Sequence, residues 1–202
     1  MTRSLLRARP LLSLAIASAL IPACIADGGE PLDDETDTTH EADTTHDDTE
    51  APSWRSLARN EAWQPDLREH DPLPEHRPAE VECDHGWALE SGGIEVRTDQ
   101  CNYLSLNQPL LAGIEPGDPL HLELWWQTLA SVDPAQGHLA LFVDDELLWE
   151  ELVSIPGAAD ARSLEFSSPL RAPAGATLTL HLHNHGYNAW HFHELSVLGS
   201  EP

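Results

Sequence analysis

The chain has 202 residues, with 35 Asp and Glu against 10 Lys and Arg, and a formal net charge of −25. Every basic residue is an arginine. The length allows one domain with extras or two small domains, at about 100–200 residues per domain. The charge excludes nonspecific binding to DNA, RNA or anionic lipid as the main activity, because all three present phosphate.

The first elements are an address. Arg3, Arg7 and Arg9 stand in a first ten residues without an acid, and residues 11–21 follow as an unbroken run of apolar and small side chains. This is the pattern of a secretory signal peptide over 1–23, and the run is shorter than the about 20 residues a membrane helix needs. The run closes on Ile21-Pro22-Ala23-Cys24, which resembles the lipobox of bacterial lipoproteins. That resemblance implies cleavage after Ala23 and acylation of Cys24, although Pro22 departs from the usual small or branched residue. It also implies the outer membrane or cell surface, because Ile25 replaces the Asp that retains many such proteins at the inner membrane. Ordinary secretion, with cleavage after Ala23 or Ala26, is the alternative. Three cysteines are an odd number for an exported chain. Acylating Cys24 leaves Cys83 and Cys101, which an oxidising compartment is expected to join. That bond would stabilise the fold by about 3 kcal/mol on the chain-entropy model.

Residues 27–50 hold 11 acids, no base and no aromatic, and Asp37-Thr38-Thr39-His40 recurs as Asp43-Thr44-Thr45-His46. Such a tract cannot bury enough apolar area to offset its ordering entropy, so His40 and His46 are expected to be solvated. Residues 53–63 can form a short helix with Ser53 as N-cap and Trp54, Leu57 and Ala58 on one side. Prolines 65, 72, 74 and 78 then keep the chain extended. Residues 24–80 are thus expected to be a disordered acidic, Pro-rich stalk, with an end-to-end distance of about 40 Å.

The expected domain, 81–202, has a period of two. In 120–129, Leu120, Leu122, Leu124 and Trp126 face one way, and His121, Glu123, Trp125 and Gln127 the other. Strands are also expected over 138–143, 147–155, 176–185 and 189–198, with Asp144-Asp145-Glu146 as a hairpin turn. Turn signals lie at Ser91-Gly92-Gly93, Glu115-Pro116-Gly117-Asp118 and Pro173-Ala174-Gly175. The fold class is all-β, an antiparallel sandwich. Residues 176–198, ATLTLHLHNHGYNAWHFHELSVL, resemble the closing two strands of jelly-roll carbohydrate-binding and galactose-binding-like modules. That resemblance implies a jelly-roll-like fold and, more loosely, a sugar ligand.

Two constellations carry chemistry. His181, His183 and His185 alternate along one strand and therefore share a face. His191 and His193 repeat the spacing on the next strand. Together these five are candidate ligands for zinc or copper, and they read equally as polar residues on a solvated sheet face. If the first of these strands lies beside 120–129, His121 and Trp125 share its face. The second constellation is an outward Trp125 with His121, Glu123 and His183, which fits a sugar platform, since a planar ring offers apolar area to a ligand. The acids at 144–146 and at Glu150 and Glu151 suit a hairpin tip better than calcium. No G-x-S-x-G, H-E-x-x-H or phosphate-cradling glycine loop is present, so no catalysis is expected. The leading expectation is a surface-tethered lipoprotein whose noncatalytic β-sandwich binds a saccharide or cell-surface polymer, with no nucleic-acid partner. Zinc or copper binding through the histidine face is the second reading, and a structural envelope protein the third.

Overall fold

The computed structural model describes residues 52–66, 71–83 and 85–199. The signal peptide, Cys24 and the acidic tract with His40 and His46 lie outside the described residues. Within them the protein is all-β. Eleven strands are described: β1 Ser53–Ser56, β2 Gln64–Pro65, β3 Trp87–Glu90, β4 Gly93–Arg97, β5 Tyr103–Pro109, β6 Pro119–Trp126, β7 Ala135–Val143, β8 Glu146–Ile155, β9 Asp160–Ser167, β10 Thr177–Asn184 and β11 Ala189–Gly199. Single 3-10 turns lie at Asn60–Ala62 and Pro74–His76. One sheet runs β3-β4-β11-β6-β9, with β1 also paired to β11, and the other runs β2-β5-β10-β7-β8. Every pairing is antiparallel, as a jelly-roll-like sandwich requires.

Alternation places the core. Leu120, Leu122, Leu124 and Trp126 of β6 are buried, as are Leu178, Leu180 and Leu182 of β10, and both rows enter one apolar cluster. Trp190 fills the space between sheets beside Gly137, where an added Cβ would lie 2.7 Å from the indole. The hairpin between β7 and β8 turns on Asp144 and Asp145 alone, with φ of 46° and 67°. Positive φ at both central residues is the two-residue turn whose twist matches paired strands. Cys83 and Cys101 form a disulfide.

Residues 53–63 are not a helix. Ser53 to Ser56 pair with Gly199 to Ser196, filling the half of the β11 edge that β4 leaves open. Backbone groups on that half-edge need partners, and a non-local partner outweighs the local helical spacing of Trp54, Leu57 and Ala58. Nor do the described residues of 53–80 form a stalk: Leu57 is fully buried and Trp63 lies in the core cluster. The sandwich therefore includes β1 and β2 and does not begin at residue 81.

Candidate metal centre and the opposite sheet face

The outer face of the β2-β5-β10-β7-β8 sheet carries Tyr103, Ser105 and Asn107 of β5, Thr179, His181 and His183 of β10, and His138 of β7. Register places His183 between Tyr103 and His138, and His181 between Ser105 and Ala140. In a bare two-layer sandwich this face would meet water. Here a strap, the described part of residues 64–83, lies over it. Asp66 accepts hydrogen bonds from the Ser105 hydroxyl (3.2 Å) and the Asn107 amide (3.0 Å). Asp71, its side chain fully buried, accepts from the Tyr103 hydroxyl at 2.6 Å, from Arg77 at 3.1 Å and from the Leu73 backbone N–H at 3.1 Å. Burial and the Asp71 carboxylate raise the Tyr103 pKa, so the phenol stays a donor. Replacing Asp71 by alanine strands the guanidinium and the phenol. It is expected to cost about 3–5 kcal/mol, as breaking a buried pair does, measured as a lower urea midpoint.

This clamp sets His76, at the end of the Pro74–His76 turn, over β10. His76 Nδ1 lies 3.4 Å from His181 Nε2 and 3.4 Å from His138 Nδ1, and each of the three residues offers a ligand nitrogen within 4.8 Å of one on the other two. Nitrogens bound to one zinc at about 2.0 Å in a tetrahedron stand about 3.3 Å apart. The rings behind them stand 5.2, 5.5 and 5.3 Å apart, against about 5.2 Å expected for imidazoles on a tetrahedral ion. His138 Nε2 meets Glu150 Oε2 at 3.0 Å. A proton on Nε2 donated to that carboxylate leaves Nδ1 with its lone pair. His138 Nδ1 then offers a lone pair towards His76 Nδ1, and neutral His76 and His181 each offer one when the proton stands on the other ring nitrogen. A carboxylate behind a ligating imidazole is a recurrent feature of metal sites. His181 departs from that feature, because its Nδ1 is buried without a hydrogen-bond partner.

Burial, reinforced by the His138 and His76 imidazoles, lowers His181 to about 3, while the Asp71 charge opposes the shift. Burial and the His185, His76 and His138 rings lower His183 to about 4. Both rings are therefore neutral at pH 7, as metal ligation requires. In an unfolded chain each takes a proton near pH 6.5, which the folded protein refuses. The metal-free protein should therefore lose stability as pH falls from about 6.5 towards 3, by up to about 1.4 kcal/mol per pH unit from His181. A lower urea midpoint at pH 5 than at pH 7 is the expected result.

The other face holds different chemistry. On the outer side of the β3-β4-β11-β6-β9 sheet, Trp125 stacks on His191 with ring centroids 3.3 Å apart and 7° between planes. Glu123 lies 3.7 Å from His121 and 3.9 Å from His193. His121 also meets the Ser163 hydroxyl at 3.0 Å and the Trp54 ring. Trp125 is 38% exposed and is paired across the strands with Ala161. A shallow cavity beside it is lined by Gln127, Thr128, Ala159 and Asp160.

Two sequence expectations need correction. His181, His183 and His185 do not converge with His191 and His193, because the chain changes sheets between β10 and β11. Nor does His183 share a face with His121, Glu123 and Trp125, since β10 and β6 lie in different sheets. The change of sheet is fixed at residues 185–188. Thr98 Oγ1 accepts from Asn184 and from the Asn188 backbone, each at 2.9 Å, and Asn188 Oδ1 accepts from the Ala130 N–H at 2.6 Å. Gly186 has φ +115° there, and a Cβ would overlap the Ala130 carbonyl. His76 and His138 are the candidate ligands that sequence reasoning missed. His138 had a signal: the Asp144–Asp145 hairpin brings its strand beside the one bearing Glu150. His76 had none, because Pro-Glu-His-Arg-Pro reads as extended chain.

No family model and no curated protein matches this chain. Among solved structures it resembles a CBM4 domain (TM-score 0.40, 10% identity, 70% of this chain and 89% of that one). It also resembles TmCBM61 in complex with β-1,4-galactotriose (0.34, 12%, 73% and 88%). A third is the K3 adhesin domain of Lys-gingipain from Porphyromonas gingivalis (0.40, 10%, 72% and 99%). Of a family two carbohydrate esterase from Clostridium thermocellum it spans about a third, 33% (0.36, 12%, 61% of this chain). Similarities of this size carry no argument about what the chain binds.

Proposed function

We propose that the protein is an exported β-sandwich, lipid-anchored through Cys24 at the outer membrane or cell surface, that binds a divalent transition metal without catalysing a reaction. Zinc and copper are the ions that suit imidazole donors. The observation that carries the reading is the convergence of His76, His138 and His181, with His76 Nδ1 3.4 Å from a nitrogen of each of the other two. Glu150 supports one ligand from behind. The strap supplies His76, so the ion would bridge strap and sheet. Export and acylation rest on the signal-like first 23 residues and on Ile21-Pro22-Ala23-Cys24.

The test is elemental mass spectrometry of the full chain purified without a His-tag or chelator, before and after zinc or copper is added and the excess removed. Retention of at least one equivalent, lost in His181→Ala, is the expected result. Absence of retained metal under both conditions overturns it.

Saccharide binding is a second reading, on the other face. The half-exposed Trp125 indole beside Asp160, Gln127 and Thr128 favours it, because an aromatic ring with a few polar neighbours suits a sugar. Binding of any immobilised polysaccharide that Trp125→Ala abolishes supports this reading, and binding that survives the substitution rejects it.

A further inference from the structure

The three converging imidazoles do not exhaust the histidines of this face. A cleft of about 640 Å³ opens beside them, lined by His76, His138, His183, His185, Gln136 and Ser154 among others. His183 lies near the end of β10 and His185 just beyond it, with ring centroids 4.7 Å apart and planes at 65°. Two imidazoles bound at about 2.0 Å to one ion, with an angle of about 90–109° between them, place their centroids about 4.5–5.2 Å apart. The pair already stands at that spacing. Neither imidazole makes a hydrogen bond to another described residue, so their nitrogens are available. His183 also faces His76 at 5.3 Å, which puts the pair next to the buried trio. His185 is exposed and His183 half-buried, whereas His181 is fully buried. The histidines thus form a graded path from the mouth of the cleft to its floor.

We propose that His183 and His185 bind a second transition-metal ion at the mouth of this cleft, outside the His76–His138–His181 position, with water completing its coordination. The proposal rests on the metal-binding reading of the inner trio. Two protein ligands hold an ion less tightly than three, and a neighbouring divalent cation repels it, so the outer position is the weaker one. The net charge of −25 offsets part of that repulsion.

The experiment is isothermal titration calorimetry of the full chain with zinc chloride near pH 7.5, alongside His185→Ala and His181→Ala. His185 lies exposed just beyond the end of β10, so its substitution leaves the core untouched. Two binding events are expected, a tight one and a weaker one. His185→Ala should remove the weaker event or weaken it at least about 10-fold while the tight event persists. A single event unaffected by His185→Ala overturns the outer position and leaves the inner one standing. Two events that both survive His185→Ala also overturn it, because the second ion then sits elsewhere. No binding at all overturns the inner position together with the outer.

Discussion

Zinc affinity is expected to fall more than about 100-fold in His138→Ala, because removing a ligand costs more than the about 10–100-fold lost with a supporting carboxylate. The argument is geometric. Three nitrogens stand within 4.8 Å of one another. Taking one away leaves His76 and His181, too few to enclose an ion on three sides. Glu150→Gln tests the supporting carboxylate separately. It preserves shape but removes the charge that meets His138 Nε2 at 3.0 Å, so zinc affinity should drop by about 10–100-fold. Both effects can be read as a thermal shift, since a ligand that binds only the folded state raises stability by about 2.7 kcal/mol at 100 times its Kd. Wild-type protein should melt higher with zinc, Glu150→Gln should gain less, and His138→Ala should gain almost nothing. A full zinc-induced shift in His138→Ala would place the ion elsewhere.

A large loss of stability is expected at a residue outside the domain expected from sequence. Trp63 is 2% exposed and meets Phe192 edge to face, with ring centroids 5.8 Å apart. Trp63→Ala should therefore cost about 3–5 kcal/mol, the range for emptying a large core site. A chain starting at residue 81 should fare worse. It lacks Leu57, Trp63 and strands β1 and β2, and it exposes the edges of β11 and β5 that those strands cover. It also lacks His76, and with it one third of the ligand set. The expected result is no cooperative urea transition for that fragment and a single transition for the full chain. A fragment 81–202 as stable as the full chain would mean that residues 53–80 contribute nothing to the fold.

The leucine-rich strands were legible because their pattern is local. Leu120 to Trp126 and Leu178 to Leu182 alternate without interruption, and the Asp144-Asp145 turn declares its hairpin. Strand β9, DARSLEFS, was not legible, because only Leu164 and Phe166 mark its inner side. The segment 53–63 was misread because Trp54, Leu57 and Ala58 satisfy helical spacing equally well. What decides between helix and strand there is the open half-edge of β11, about 140 residues away, which no window of sequence contains. Prolines 65, 72, 74 and 78 did announce extended chain, but extended chain can lie on a protein as easily as leave it. The buried carboxylates decided that: Asp66 and Asp71 each find donors on β5.

The histidines show the same limit from the other side. The H-x-H spacing correctly put His181 and His183 on one face, because period two is a property of the strand alone. Which sheet a strand joins is a property of topology. The five clustered histidines were divided between two sheets by the residues of a single connection, and the histidines that converge on His181 are His76 and His138 from elsewhere.

The pairing of β1 with β11 joins the first described strand to the last, with Ser53 opposite Gly199. Strand β1 cannot pair until a partner about 140 residues further along the chain has been made, and the Leu57 N–H waits equally for its acceptor, the Leu195 carbonyl. Contacts between distant parts of a chain also slow folding itself, towards the millisecond-to-second range typical of all-β sandwiches. Closing this sandwich at β1 is therefore a late step, because it joins strands from opposite ends of the described residues.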